Sequence, residues 1–220
     1  MKREIIQTSD GSTTIYLPDL DENYHSTHGA IQEAEHVFIQ HGLKAFEEMK
    51  FESISIFEMG FGTGLNAFLT KIRAKAKIEY TGIEAYPVSA QEIQALNYVD
   101  LVGKEFEGDF QSIHGAVWNE RVELDQQYSL NKVEEKIELF AMPKDMFDVI
   151  YFDAFGPRAQ AEMWDIQILA KMFDGLKKGG ALVTYCARGQ FKRDLKALGF
   201  TVEALPGPPG KREMTRAWKK

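Results

Sequence analysis

The sequence predicts an α/β domain built on a mainly parallel sheet, with helices on both faces and an antiparallel strand pair closing its C-terminal edge. Three observations predict it. Strand-like and helix-like segments alternate from about residue 51 onward. A glycine triplet, Gly60, Gly62 and Gly64, sits between a strand and a helix. The last two strand-like segments follow one another with only a Pro/Gly loop between them, and that connection forces an antiparallel pair.

Residues 1–50 read as an N-terminal extension packed on this core. Residues 4–8 and 13–17 flank an Asp10-Gly11 turn signal and predict a hairpin. Helices are expected over about 31–40 and 43–49. In the main domain, 51–220, strands are expected at 53–58, 78–84, 147–152 and 181–185. Helices are expected at 65–73, 89–96 and about 166–173, with a turn at Lys178-Gly179-Gly180. Residues of about 117–137, with apolar pairs around Asp125-Gln126-Gln127, read as an inserted β-hairpin. Strands at 200–205 and 212–218 enclose Pro206-Gly207-Pro208-Pro209-Gly210. A parallel sheet closed by such a pair is the arrangement of class I (Rossmann-like) methyltransferases.

Composition narrows the classes. The 220 residues are 44% hydrophobic and 27% charged, which suits one globular domain with a sizeable core. No apolar run approaches the ~18 residues of a membrane span, and the first residues carry no secretory pattern, so a cytoplasmic location is expected. The single cysteine, Cys186, excludes an intrachain disulfide and a multi-cysteine zinc site, and no metal is expected. The net charge of −7 is unevenly spread. Residues 188–220 hold nine Lys/Arg against three Asp/Glu, so a phosphate-binding face is compatible with an otherwise acidic body. A merely solvated surface would show the same bias.

The stretch Glu58-Met59-Gly60-Phe61-Gly62-Thr63-Gly64-Leu65-Asn66 falls where open α/β sheets bind ligands. Its glycines let the backbone turn and approach a ligand closely. Glu84, twenty residues after Gly64, ends the next strand, where a carboxylate can accept hydrogen bonds from ribose hydroxyls. The G-x-G-x-G spacing favours S-adenosyl-L-methionine over NAD, and Glu58 suits the network around a methionine amino group. A tight strand-to-helix turn that binds nothing is the bland alternative.

The strand at 147–152 ends in Asp153-Ala154-Phe155-Gly156-Pro157. An acid there can accept an N–H hydrogen bond and aim an amine lone pair for in-line transfer. Phe155 can wall the pocket, and Pro157 stiffens the loop. Asp153 as a simple turn residue is the competing reading.

Together, Glu58 to Asn66, the segment Phe152-Asp153-Ala154-Phe155-Gly156-Pro157 with Met163-Trp164 after it, and Gly210-Lys211-Arg212-Glu213-Met214 resemble the MnmC methyltransferase-domain family, of the stand-alone MnmD type. The resemblance covers nearly the whole chain. It implies N-methylation of the 5-aminomethyl group of the tRNA wobble uridine, often 2-thiolated, with tRNA bound through its anticodon region. It also implies a catalytic Asp153, cofactor contacts from Glu58, Gly60, Phe61, Gly62, Thr63, Gly64, Leu65, Asn66 and Glu84, and a basic pair, Lys211 and Arg212, near the active-site rim. Glu135 would match a carboxylate that reaches the adenine amino group. Departures are a swap of small residues at Ala154 and Gly156, Ala161 in place of proline, and Glu134-Glu135 in place of Gly-Asp. These 220 residues leave no room for the flavin module of fused members, so no oxidoreductase activity is expected of them.

Should tRNA bind, Arg188, Lys192, Arg193, Lys211 and Arg212 are the expected phosphate contacts, with positions 188 and 192 on one helix face. Three alternatives stay open on the residues alone. One is a methyltransferase of the same fold acting on a small-molecule or protein amine. The others are a nucleotide-dependent oxidoreductase and a non-catalytic binding module. The presence of Glu58, Glu84 and Asp153 together disfavours the last.

Overall fold

The computed structural model describes residues 2–220. The chain opens with a small antiparallel sheet of β1 (Glu4–Gln7), β2 (Thr13–Leu17) and β3 (Glu22–Asn23). The first two strands form the expected hairpin, in register from Glu4↔Tyr16 to Gln7↔Thr13. Next comes one continuous helical run, α1 (Ala30–Ala34), π-helical turns over Glu35–Leu43, and α2 (Lys44–Glu48). The break expected near residue 42 is absent. Gly42 is a contact point instead: a Cβ there would stand 2.9 Å from the Tyr151 ring, so the missing side chain lets the helix lie close on the sheet.

The main sheet then builds through β4 (Ser53–Met59), α3 (Leu65–Arg73), β5 (Lys77–Glu84), α4 (Ala90–Gln94), α5 (Tyr98–Val102) and α6 (Glu107–Gly115). It continues with β6 (Arg121–Glu123), β7 (Tyr128–Glu134), β8 (Phe147–Phe152), α7 (Ile166–Gly175), β9 (Leu176–Thr184), α8 (Gly189–Ala197), β10 (Phe200–Pro206) and β11 (Glu213–Lys219). Strand order is β10-β11-β9-β8-β4-β5-β7-β6. The pairs β9/β8, β8/β4, β4/β5 and β5/β7 are parallel. The pairs β11/β9 and β10/β11 are antiparallel, as the helix-free C-terminal connection requires.

Two expectations are corrected. The hairpin of about 117–137 forms as β6/β7, but it is no insertion: β7 pairs with β5 from Ile78↔Tyr128 to Glu84↔Glu134 and belongs to the central sheet. Its buried Tyr128, Leu130 and Lys132 alternate toward the core face, which fixes that register. The Lys178-Gly179-Gly180 turn is also absorbed. These residues lie inside β9 as an irregularity against β8, between its Phe147 and Val149, with Gly179 at φ +83°.

Apolar side chains fill both faces. On one, Val37, Phe38, Ile39 and Leu43 of the helical run pack with Phe68 of α3 and Tyr151 of β8. On the other, Ile168, Leu169 and Met172 of α7 meet Phe191 and Leu195 of α8 over Phe57 and Ile150. The chain moves outward from β4 to β5 and β7, then returns to place β8 on the other side of β4. That reversal leaves a crevice beyond the carboxyl ends of β4 and β8, where ligands bind in such sheets.

Candidate active site

A cleft with about 1120 Å3 of space opens at this end of the sheet. Its floor is the glycine loop. Gly60, Gly62 and Gly64 have φ of +88°, +50° and +71°, backbone that side chains rarely adopt. At Gly60 the need is doubled, because a Cβ would come within 2.7 Å of the Asp153 carbonyl. The loop is tied to β5: the Gly60 and Phe61 amides donate to the Ile83 carbonyl at 3.1 and 3.0 Å. Phe61 folds back into space left by Gly82, against Trp118 and beneath the Lys132 ammonium.

Glu84 stands at the end of β5 on the cleft wall, as its spacing predicts. One carboxylate oxygen accepts from the Gly62 amide at 3.0 Å and the other from the Tyr86 amide at 2.9 Å. Glu135 lines the cleft just beyond β7, alongside Ile137. Thr63 and Leu65 line the floor, and the Tyr98 hydroxyl donates to Thr63 Oγ1 at 3.0 Å.

Glu58 stands one side chain back from the cleft. It is fully buried and is not on the cleft wall. Asn66 stands in front of it: Asn66 Nδ2 donates to Glu58 Oε1 and to Asp153 Oδ2, both at 2.8 Å. Burial holds the Glu58 carboxyl well above the usual carboxylate range. The Asn66 hydrogen bond opposes that shift, and the Asp153 charge reinforces it. Asp153, directly after β8, lines the cleft. Burial pushes its carboxyl up to about 7; the Glu33 charge adds to the shift, while Asn66 and the Lys211 ammonium oppose it. Near neutral pH this carboxyl can therefore both take and release a proton.

Phe155 walls the same corner, edge-on to Tyr24 at a ring separation of 5.0 Å, and its carbonyl accepts from the Trp164 indole at 2.8 Å. Pro157 is outside the cleft lining. The five predicted phosphate contacts are outside it too, and they differ in state. Lys192 pairs with Glu213 at 2.9 Å and Lys211 pairs with Glu33, whereas Arg188, Arg193 and Arg212 are exposed and make no ion pair among the described residues.

Sequence reasoning assigned no role to Arg3, Tyr24 or His25, yet all three line the cleft. Arg3 latches the N-terminal sheet to the loop after Glu84, donating to the Tyr86 and Pro87 carbonyls and to Glu92. His25 bridges Thr14 Oγ1 at 2.8 Å and Thr63 Oγ1 at 3.5 Å. Burial brings its imidazole down to about 4. The Asn97 side chain seats β2 by accepting from the Thr13 amide. Such contacts join segments far apart in the chain and leave no local pattern.

The cleft fits S-adenosyl-L-methionine on this chain's own features. Its floor excludes Cβ atoms, a carboxylate stands one strand away, and a buried acceptor on the cleft lining, Asn66 Oδ1, has no partner and suits a cationic donor. The signature of a family described as S-adenosyl-L-methionine-dependent methyltransferase matches residues 107–220, just over half of the chain, and the chain belongs to that family.

More particular likenesses follow. A protein of Cupriavidus metallidurans named tRNA 5-methylaminomethyl-2-thiouridine biosynthesis bifunctional protein MnmC is 29% identical over 231 aligned positions, covering 97% of this chain. The chain spans 33% of that relative's length. Among solved structures, MNMC2 of Aquifex aeolicus superposes with a TM-score of 0.81 at 23% identity, covering 100% of this chain and 70% of the other. Spermidine synthase of Thermotoga maritima gives 0.54 at 16% identity over 99% of this chain and 72% of the other. Both show the class I fold. No helix among the described residues is long and apolar enough to cross a membrane.

Proposed function

We propose that this chain N-methylates the 5-aminomethyl group of a wobble uridine, with or without a 2-thio group, in the anticodon region of tRNA, and that it works in the cytoplasm. The observation that carries the reading is Asp153: an acid held by Asn66 at the reacting end of the central strand, with its proton poised near neutrality. The substrate identity draws its support from the MnmC relatives and from the resemblance of the three motifs to that family.

When bound, S-adenosyl-L-methionine supplies an electrophilic methyl on a positively charged sulfur. The glycine loop from Gly60 to Asn66, Glu84 and Glu135 are the residues that would hold it. Asp153 faces the incoming alkylammonium. Its ionised carboxylate takes a proton from the nitrogen, and the nitrogen lone pair becomes free. Asn66 occupies Oδ2, so Oδ1 is the oxygen left to hold the neutral amine in line. Tyr24 and Phe155 give this corner aromatic walls that keep water from the nitrogen. The exposed Arg188, Arg193 and Arg212 would meet phosphates, which position the substrate and do not react.

Incubating undermodified tRNA with the protein and a methyl-labelled cofactor, then resolving the nucleosides by mass spectrometry, tests this directly. Label in 5-methylaminomethyl(-2-thio)uridine is the expected result. Label recovered only in free amines or protein side chains would instead support the small-molecule or protein alternative.

A further inference from the structure

Asp153 faces a second charged group that the chemistry above does not use. Glu33 of α1 is 7% exposed. Its Oε2 accepts from the Ser26 amide at 2.9 Å, and its Oε1 pairs with the Lys211 ammonium. Lys211 Nζ sits 3.8 Å from the centroid of the Tyr185 ring. The Tyr185 hydroxyl donates at 2.8 Å to the carbonyl of Ala154, the neighbour of Asp153. Beside this chain of contacts, Gly210 packs so tightly on His28 that a Cβ would overlap the imidazole. The start of the helical run, the end of β9 and the β10–β11 loop thus meet beside the Asp153-Ala154 segment.

Packing alone does not call for ions here. Glu33 is buried and Lys211 half-buried, and burying a charge for such a pair is seldom more stabilising than an apolar residue of the same volume, so its presence calls for another reason. The groups facing Asp153 supply one. Asn66 is neutral. Glu58 lies behind Asn66, Glu33 comes from α1, Tyr185 from the end of β9, and Lys211 from the β10–β11 loop. Without Lys211, Asp153 would face two acids and a phenol. Without Glu33, a lone ammonium would repel an arriving alkylammonium.

We propose that the Glu33–Lys211 pair, seated on Tyr185, is a positioning pair for the reaction. It fastens the β10–β11 loop to α1 beside the Asp153 segment and balances the charge acting on that carboxylate while it takes the proton of the incoming alkylammonium. This rests on the reading of Asp153 as the amine's proton acceptor.

The test is the pH profile of single-turnover methylation on tRNA carrying 5-aminomethyluridine, with cofactor affinity measured on each variant as a check on folding. Glu33→Gln removes a negative charge and frees the ammonium, so the acidic limb should move to lower pH by about one unit. Lys211→Met does the reverse, and its limb should move up by a similar amount. The double variant should fall between them, close to the parent. Asp153→Asn should abolish the limb.

An unchanged limb in Asp153→Asn would overturn the Asp153 reading, and the pair's role with it. Should Asp153→Asn abolish the limb while the Glu33 and Lys211 variants leave it in place, whatever their rates, the pair is a loop fastener and this proposal fails alone.

Discussion

One wall of the cleft is a single stretch, Met59 to Asn66, braced by Glu84 one strand away; the other gathers Tyr24, Asp153 and Phe155 from distant segments, with Tyr185 and Lys211 backing it from outside the cleft. The first is held by backbone: positive-φ glycines, amides bonded to the Ile83 carbonyl, and a carboxylate on the Gly62 amide. The second is held by side chains: an ion pair, an aromatic edge and a phenol on a carbonyl. A backbone cradle suits a ligand that is the same in every turnover. A wall of titratable side chains suits the half-reaction in which a proton must move. Damage to the first wall should therefore appear in affinity, and damage to the second in rate.

Asp153→Ala should break the comparison most sharply. Loss of a positioned proton acceptor costs ~100- to 10,000-fold in rate. Single-turnover methylation should fall in that range while calorimetric affinity for S-adenosyl-L-methionine stays close to the parent's. An equal loss in both quantities would show that the two walls are not separable.

Glu84→Ala is the complementary experiment. It should weaken cofactor binding by about 1–3 kcal/mol, the range for lost hydrogen bonds to a charged group. Some of that loss would come through the loop, since Glu84 also fixes the Gly62 and Tyr86 amides. NAD should show no comparable affinity for the parent protein.

That contrast also explains what could be read from the residues. The glycine loop, α3 and the β4 and β8 strands come from short-range patterns, and the structure places them within a residue of expectation. Glu84 and Asp153 follow from strand ends and stand in the cleft. Glu58 follows from its strand end as well, while the Asn66 side chain between it and the cleft is set only by the fold. Tyr24 and Glu33 carried no signal, because their chemistry depends on partners more than a hundred residues away. The place of β7 in the central sheet is hidden from the sequence for a similar reason. A hairpin pattern tells which strands pair with each other, but not that one of them also joins a parallel sheet.

Two glycines sharpen the backbone half of the comparison. Gly82→Ala would place a Cβ 2.4 Å from the Phe61 ring, so the loop must shift. Overpacking of this kind costs about 1–3 kcal/mol, readable as a lower urea midpoint together with weaker cofactor binding. Gly108→Ala in α6 meets nothing within 4 Å and should raise stability by up to about 1 kcal/mol without touching the cofactor.

The buried imidazoles predict a smaller, pH-linked effect. Burial brings both His25 and His114 down to about 4, so each is neutral in the folded chain where the unfolded chain begins to protonate. The unfolded state then binds more protons, and stability should decline as pH falls from about 6.5 toward 4. His114→Gln should lose less stability than the parent between pH 7 and pH 5, measured by chemical denaturation. Equal losses would place the titrating groups elsewhere.

The basic C-terminal segment gives the smallest expected effect and divides along the same line between paired and unpaired charge. Lys192 and Lys211 are already matched by Glu213 and Glu33, so an arriving phosphate must compete with a carboxylate for each. Arg188, Arg193 and Arg212 have no such competitor among the described residues and stand in solvent. Each cation that neutralises a phosphate releases counterion, and its removal should lower the slope of log affinity against log salt by about 0.7–0.9. Replacing the three arginines by alanine should thus flatten the slope for the proposed tRNA substrate by about two units and raise its apparent KM, while S-adenosyl-L-methionine binding holds. Lys192→Ala should change the slope by less than any single arginine. A larger effect from Lys192 than from Arg193 would mean that the Glu213 pair opens on binding; no effect from any of the four would leave this face as solvated surface and move the tRNA contact to another side of the cleft.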